Sequence, residues 1–247
     1  MTRDTIIEKI HKILEPLPYI HALWLEGADA NVTVDEYSDI DFWIDAEDEY
    51  EQQAFQSVED ALAQLSTIDY KYIAHHPHPK IRQRYYHLEG TSEYLMIDLC
   101  LQLHSREAVI FIEGNTIETV KVLFDKCGVI KHKPLDMADY TEPNNHRLES
   151  IKHDRTQYSR VKRFIKRGRY LEAYMQYNAY VLAPLVDLLR LIHTPANADY
   201  GLCHISRHIP NAQREKLEYF AQVSSLEEIE AKMEQAGKWF DELLQTK

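Results

Sequence analysis

The sequence predicts an α+β protein: a small mixed sheet with flanking helices, followed by an α-helical bundle. Three observations point there. Period-two apolar alternation marks the first part of the chain, and helical spacing of apolar residues marks the part after about residue 145. Between them lies a polar, proline-containing stretch, "KHKPLDMADYTEPNN", the best linker candidate. Charge divides in the same way: residues 1–140 carry 12 Lys and Arg against 26 Asp and Glu, whereas residues 141–247 carry 16 against 14. Regions of such different electrostatics are expected to be two domains, 1–140 and 141–247.

The opening "MTRDTIIEKIHKIL" keeps Ile6, Ile10 and Ile13 in helical step among charges, which predicts an amphipathic helix and lacks the apolar block of a signal peptide. Pro16 and Pro18 end it. "YIHALWLEG" follows as a short apolar strand closing at Gly27, and "GADANVTVDEY" reads as a loop. Next, "YSDIDFWID" (37–45) alternates Ile40, Phe42 and Ile44 with Asp39, Asp41, Trp43 and Asp45, the pattern of a half-buried strand. Ala54, Phe55, Val58, Ala61, Leu62 and Leu65 then recur at helical spacing, so a helix lying on the sheet is expected over about 50–66.

"IDYKYIAHHPHP" and "IRQRYYHLEG" read as two strands around a Pro-rich turn, whose prolines argue against a metal site at its histidines. "EYLMIDLCLQL" is the cleanest alternation, with Leu95, Ile97, Leu99, Leu101 and Leu103 on one face and Asp98 as the one acid inside the run. "VKVLFDKCGVI" reads as one further strand. Beyond the linker, helices are expected over about 145–167, ending at Gly168, and about 170–193, kinked at Pro184. A last helix opens at "SLEE", with Ser225 and Glu228 spaced as a capping box. Asp187 and Arg190 are spaced for an ion pair along one helix, which accounts for Asp187 as well as a substrate contact does, and His204 and His208 read as surface residues.

A net charge of −12 predicts no general nucleic-acid partner, and the absence of a long apolar run predicts no membrane span. A soluble, cytoplasmic protein is the expectation. Cys100, Cys127 and Cys203 show neither a disulfide framework nor metal-ligand spacing, and read as reduced core or pocket thiols. The tyrosines, 16 in all, are expected to serve core packing first.

Aspartate is a poor strand former, so its repetition in "YSDIDFWID" calls for a reason, and like charges side by side are ordinarily relieved by a bound cation. Gly27 and Ala28, a ten-residue gap, Asp39-Ile40-Asp41 and a later strand bearing Asp98 together resemble the DNA polymerase beta-like nucleotidyltransferase superfamily. The family pattern is Gly-Ser or Gly-Gly, a loop of that length, Asp-x-Asp and a third carboxylate. This likeness covers roughly the first 110 residues. More weakly, "RGRYLEAYMQYNAYVLAPLVDLLRLIHTP" resembles the helical domain of the aminoglycoside and lincosamide nucleotidyltransferases.

The resemblance implies a nucleotidyltransferase-type fold with its active site in the cleft between the domains. It also implies a reaction dependent on two Mg2+ ions, in which a nucleotidyl group, AMP from ATP first among the choices, passes to the hydroxyl of a small acceptor. The chemistry suits the spacing: in-line transfer uses two ions about 3.5–4 Å apart, and alternate residues of one strand can share them. Asp39, Asp41 and Asp98 are then the metal ligands and catalytic residues, with Asp98 the candidate base. Gly27, Ala28 and Ser38 are expected on the phosphate side, and Lys152 or Lys162 of the basic stretch 146–170 as cations for the triphosphate. The acidic first domain favours a cationic acceptor such as an aminoglycoside. Ala28 departs from the family, because a methyl group stands where Ser or Gly would meet the phosphates. That departure favours the alternative of a binding or antitoxin-like regulatory module, and a third reading makes the acceptor a protein or RNA.

Overall fold

The computed structural model describes residues 1–246. The chain divides into two compact units, Met1–Leu135 and Asp136–Lys247. The first holds a mixed sheet with flanking helices and the second is helical, the α+β arrangement that the two periodicities predict.

In the first unit α1 (Arg3–Leu14) precedes β1 (Ile20–Leu25), the short helix α2 (Gly27–Asn31) and β2 (Ile40–Ala46). Then come α3 (Glu51–Ala63), β3 (Ile68–Ala74), β4 (Ile81–Leu88), β5 (Ile97–Leu103), β6 (Val109–Glu113), β7 (Lys121–Asp125) and β8 (Ile130–Pro134). Six strands form one sheet in the order β3-β4-β5-β2-β1-β7, while β6 and β8 pair separately. Within the large sheet β2 and β5 run parallel and the other pairings are antiparallel.

Alternation gives the large sheet two unlike faces. Ile40, Phe42 and Ile44 of β2, with Ile97, Leu99 and Leu101 of β5, are buried in one cluster with Ile6, Ile10 and Leu14 of α1 and Phe55, Val58 and Leu62 of α3. Burial of each such side chain is worth about 1.5–3 kcal/mol as an upper estimate, so the three on β2 supply roughly 5–9 kcal/mol. That is enough to hold a strand whose other face carries acids. The opposite face has a smaller apolar patch, where Ala22, Trp24 and Val129 pack with Trp43, Val109 and Phe111.

Four local features differ from the sequence expectations. The stretch after Gly27 begins with one and a half turns of helix, closed by Val32 in the left-handed region at φ 55°. The run "VKVLFDKCGVI" is two strands and not one. The Asp125 carboxylate accepts the N–H groups of Cys127, Val129 and Ile130, and Gly128 turns at φ 70°, so the chain reverses inside the run. The linker candidate is mostly ordered structure: it contains β8 from that strand's second residue onward, and α4 (Thr141–Arg155) begins inside it, with Pro143 tolerated in the first helical turn. Cys127 and Cys203 are exposed, and Cys100 alone of the three is buried.

The second unit continues with α5 (Tyr158–Lys166), α6 (Tyr170–Tyr177), α7 (Ala183–His193), α8 (Ile205–His208), α9 (Asn211–Ala221) and α10 (Leu226–Thr246). The single helices expected at 145–167 and 170–193 are each divided. α4 and α5 break at Thr156, whose hydroxyl turns back to the His153 carbonyl. Between α6 and α7 a π-helical turn, Asn178–Leu182, lies just ahead of Pro184. Proline has no N–H to give, and the wider turn accommodates the missing donor.

Arg190 does not pair with Asp187. Asp187 accepts from Arg147 at 3.2 Å, while Arg190 is fully buried, donating to the carbonyls of Gly201 (2.8 Å) and Cys203 and bonded to His208 Nδ1 at 2.8 Å. His208 is thereby a structural partner and not a free surface residue. At α10, Ser225 Oγ accepts the Glu228 N–H at 3.1 Å, and the Glu228 carboxylate returns to the Ser224 N–H at 2.7 Å, one residue before the box expected. No helix among the described residues is long and apolar enough to cross a membrane.

Candidate active site

Parallel pairing of β2 with β5 sets Asp41 directly opposite Asp98. Register partners on adjacent strands present their side chains to the same face, so two acids 57 positions apart in sequence become neighbours. Asp39 stands exposed just ahead of β2, where the Ile40 N–H, bonded to the Met96 carbonyl at 2.9 Å, starts the pairing. The three carboxylates picked out in the sequence therefore belong to one corner of the sheet, at the entry of β2 and β5.

The electrostatics of that corner follow. Burial, then the charges of Asp39, Asp98, Glu26 and Asp29, push the Asp41 carboxyl up to about 7. Asp98 is also raised, chiefly by burial and with a contribution from Asp39; bonds from Gln83 and Tyr85 and the neighbouring His76 act the other way. Gln83 Nε2 donates to both Asp98 oxygens, at 2.8 and 2.9 Å. That grip, with the Tyr85 bond beside it, orients the carboxylate and leaves acceptor capacity for a further ligand.

Gly27 has a role at this corner that the sequence did not reveal. It sits at φ 60°, and a Cβ built on it would lie 2.1 Å from Asp41 Oδ2. The missing side chain makes room for the carboxylate itself, beside whatever access it offers a phosphate. Ala28 follows in α2, its carbonyl accepting the Thr33 N–H at 3.0 Å. The Ser38 hydroxyl is engaged in its own turn, donating to Asp35 Oδ1 at 2.8 Å and accepting the Asp35 N–H at 3.0 Å.

Several participants escaped the sequence reading. Glu26 follows Trp24 on the same strand face and accepts its indole N–H at 2.9 Å, and burial raises its carboxyl. An acid closing an apolar strand is a signal the sequence did contain. Arg3 donates to the Ser38 carbonyl at 2.6 Å and pairs with Asp29, tying the helix start to both ends of the intervening loop. Nothing local in "MTRD" announces that. Histidines of "HHPHP" act as turn acceptors, His76 Nδ1 for the His78 N–H and His78 Nδ1 for the Lys80 N–H, both at 3.1 Å.

The two lysines expected to serve the triphosphate lie in the second unit, each with a carboxylate partner there. Lys152 pairs with Glu149 at 2.7 Å and Lys162 with Glu234 at 2.9 Å.

The donor set at the acidic corner fits a hard divalent cation. Its donors are carboxylate oxygens, the type Mg2+ prefers, and burial together with their mutual repulsion pushes the Asp41 carboxyl up to about 7, a penalty that a bound cation relieves. No protein-family model matches the chain, and no curated protein matches it in sequence. Among solved structures the chain is similar to spectinomycin adenyltransferase from Enterococcus faecialis, crystallised with ATP and spectinomycin. The identity is 11%, the match covers 97% of this chain and 100% of that one, and the TM-score is 0.33. A likeness at that score carries no argument about the site, which rests on strand register and charge.

Proposed function

We propose that the first unit carries a nucleotidyl-transfer site. The observation that carries this reading is the register pairing of Asp41 with Asp98 on parallel strands, with Asp39 two residues ahead. In this reading Asp39, Asp41 and Asp98 hold two Mg2+ ions, ATP is the nucleotide donor, and the acceptor is the hydroxyl of a small, cationic molecule of the aminoglycoside kind. Bound Mg2+ supplies neutralisation of the triphosphate and activation of that hydroxyl.

The chain's own residues do the rest. Gln83 and Tyr85 hold Asp98 in one orientation, and its raised pKa makes it a stronger acceptor for the hydroxyl proton near neutrality. Gly27 lets the Asp41 carboxylate lie against the start of α2, which sets that side chain before any ligand arrives. The acids of Glu26 and Asp29 add negative potential that favours cations at this corner. Ala28 offers a backbone N–H and no hydroxyl. A triphosphate there is held by backbone and metal, and exchange of a lysine's carboxylate partner is needed before Lys152 or Lys162 can contribute.

Ala28 also favours a second reading, a nucleotidyltransferase-like scaffold that has lost transfer and serves binding or regulation. The deciding experiment incubates the full chain with Mg2+ and each NTP against a panel of aminoglycosides and lincosamides, with mass detection of an adduct. Calorimetric titration with Mg2+ and a non-hydrolysable ATP analogue runs beside it, on wild type and Ala28→Ser. Adduct formation lost in Asp41→Asn supports transfer. Absence of nucleotide binding by both forms rules the transferase reading out and leaves the regulatory one.

A further inference from the structure

The same sheet carries a second cluster of ligand-type side chains at its other end. Among the described residues, His21, His104 and Cys127 each offer one ligand atom, and these atoms lie within 4.8 Å of one another. They come from three elements: His21 from the bulge in β1 opposite Asp45, His104 from the residue after β5, and Cys127 from the turn after β7. Asp45 is four residues beyond Asp41 on β2, about 13 Å along a strand, so this cluster is separate from the acidic corner.

The imidazoles are already set as ligands. His104 Nδ1 is bonded to Asp45 Oδ1 at 2.6 Å, and Asp45 is buried, with its other oxygen accepting from Gln102 Nε2 at 2.5 Å. A carboxylate on Nδ1 holds the proton there and leaves the Nε2 lone pair available, the outer arrangement that accompanies metal-bound histidine. His21 repeats it with the other nitrogen, its Nε2 lying 3.0 Å from Glu47 Oε1. The two rings stand 4.0 Å apart.

The turn bearing the thiol is equally determined. Asp125 gathers three N–H groups of the turn, the Lys126 N–H bonds the His21 carbonyl at 2.8 Å, and the Lys126 ammonium is drawn onto the carbonyls of Leu17 and Ile20. The nearest cation is thus tied to backbone, and the carboxylates of Asp45, Glu47 and Asp125 surround the thiol. Such surroundings suit a dication.

We propose that His21, His104 and Cys127 bind a borderline-soft divalent transition metal, zinc by donor type, with Asp45 as the outer carboxylate and a fourth position open to water or Glu47. One sulfur and two imidazole nitrogens are zinc donors, and none of them suits magnesium. Tetrahedral zinc asks for about 3.3–3.6 Å between ligand atoms, given its usual bond lengths. Closing from within 4.8 Å to that spacing asks for side-chain adjustment, to which the exposed Cys127 contributes. The Cys127 S–H proton leaves to solvent as the Zn–S bond forms, with no change of oxidation state. The ion then staples β1, β5 and the β7 turn.

The test is titration of the untagged full chain with Co2+, followed by absorbance, then displacement by Zn2+. A thiolate-to-cobalt charge-transfer band should appear and saturate at one ion per chain, and Co2+ held by the carboxylates of the acidic corner gives no such band. That band should vanish in Cys127→Ser, whose exposed position spares the packing. Affinity should fall about 10–100-fold in Asp45→Asn. Asp41→Asn should keep both the band and the affinity, with circular dichroism checking every variant. Absence of the band in wild type overturns the proposal. So does an affinity, read from that band, that is unchanged in His104→Ala or lost in Asp41→Asn.

Discussion

The two ends of one sheet face make an instructive pair. At the entry of β2 and β5, Asp41 and Asp98 face each other with Asp39 ahead; at the exits, Asp45 and Gln102 are register partners beneath His104. The strands are the same and the alternation is the same, yet one end is crowded with hard oxygen donors and the other offers nitrogen and sulfur. What differs is how the charge is balanced. Asp45 is buried and has two bonded partners, whereas Asp41 lies among four other acids and is pushed up to about 7. A carboxylate with partners is structure, and one facing other carboxylates waits for a cation.

The contrast breaks most visibly in activity. Asp41→Asn should reduce nucleotidyl transfer by about 10²–10³-fold or more, the scale of losing one preorganised electrostatic contact in a transition state, read as adduct formed per minute. Wild-type turnover in that variant would remove Asp41 from the chemistry. Asp98→Asn should lower kcat more than it raises KM for ATP, since its assigned work is on the attacking hydroxyl.

Stability should separate the ends by pH. The folded pKa of Asp41 is raised, so the stability it permits is fully present below its unfolded value near 3.8 and is lost as pH rises toward about 7. One unit is worth 1.36 kcal/mol, so the loss over that span is on the order of 4 kcal/mol. Denaturation midpoints should therefore be higher at pH 5 than at pH 7.5 by more in wild type than in Asp41→Asn, and Mg2+ should recover part of the difference at pH 7.5. An identical pH profile in the two proteins would show that Asp41 is not strained by its neighbours.

A smaller effect sharpens the geometry of the acidic end. Gly27→Ala places a methyl group where Asp41 Oδ2 lies, at a φ that costs an L-residue about 1–2 kcal/mol before the clash is counted. A loss of about 2–3 kcal/mol by urea denaturation is expected, with the Gly27→Ala cost reduced in an Asp41→Ala background. Additivity of the two changes would mean that Gly27 and Asp41 do not touch. Least of all, Lys162→Ala removes an exposed pair with Glu234 and should change stability by less than about 1 kcal/mol. A marked rise in KM for ATP in that variant would give Lys162 a nucleotide role beyond its partner.

Much of the architecture was legible because it follows from short-range periodicity. Ile40, Phe42 and Ile44 on one face of β2, and Ala54, Phe55, Val58, Ala61 and Leu62 on one face of α3, are read from spacing alone and are all buried in the structure. The breaks were less legible. The reversal at Asp125 depends on a side chain bonding backbone up to five residues away, and the π-helical turn before Pro184 depends on how a helix absorbs one missing donor. Neither leaves a mark in the hydrophobic pattern.

By itself, the sequence determined the alternation that sends Asp39 and Asp41 to one face and the apolar residues to the other, and it singled out Asp98 as the one acid of its strand. These are local facts of backbone geometry, and any extended strand with those residues obeys them. Only the tertiary structure decided that Asp98 lies opposite Asp41, that Gly27 is empty so that Asp41 can fill the space, and that Arg190 leaves Asp187 for buried carbonyls. It alone brought His21, His104 and Cys127 together. Strand register, close approach and burial depend on which distant segments pack together, and no spacing along the chain encodes them.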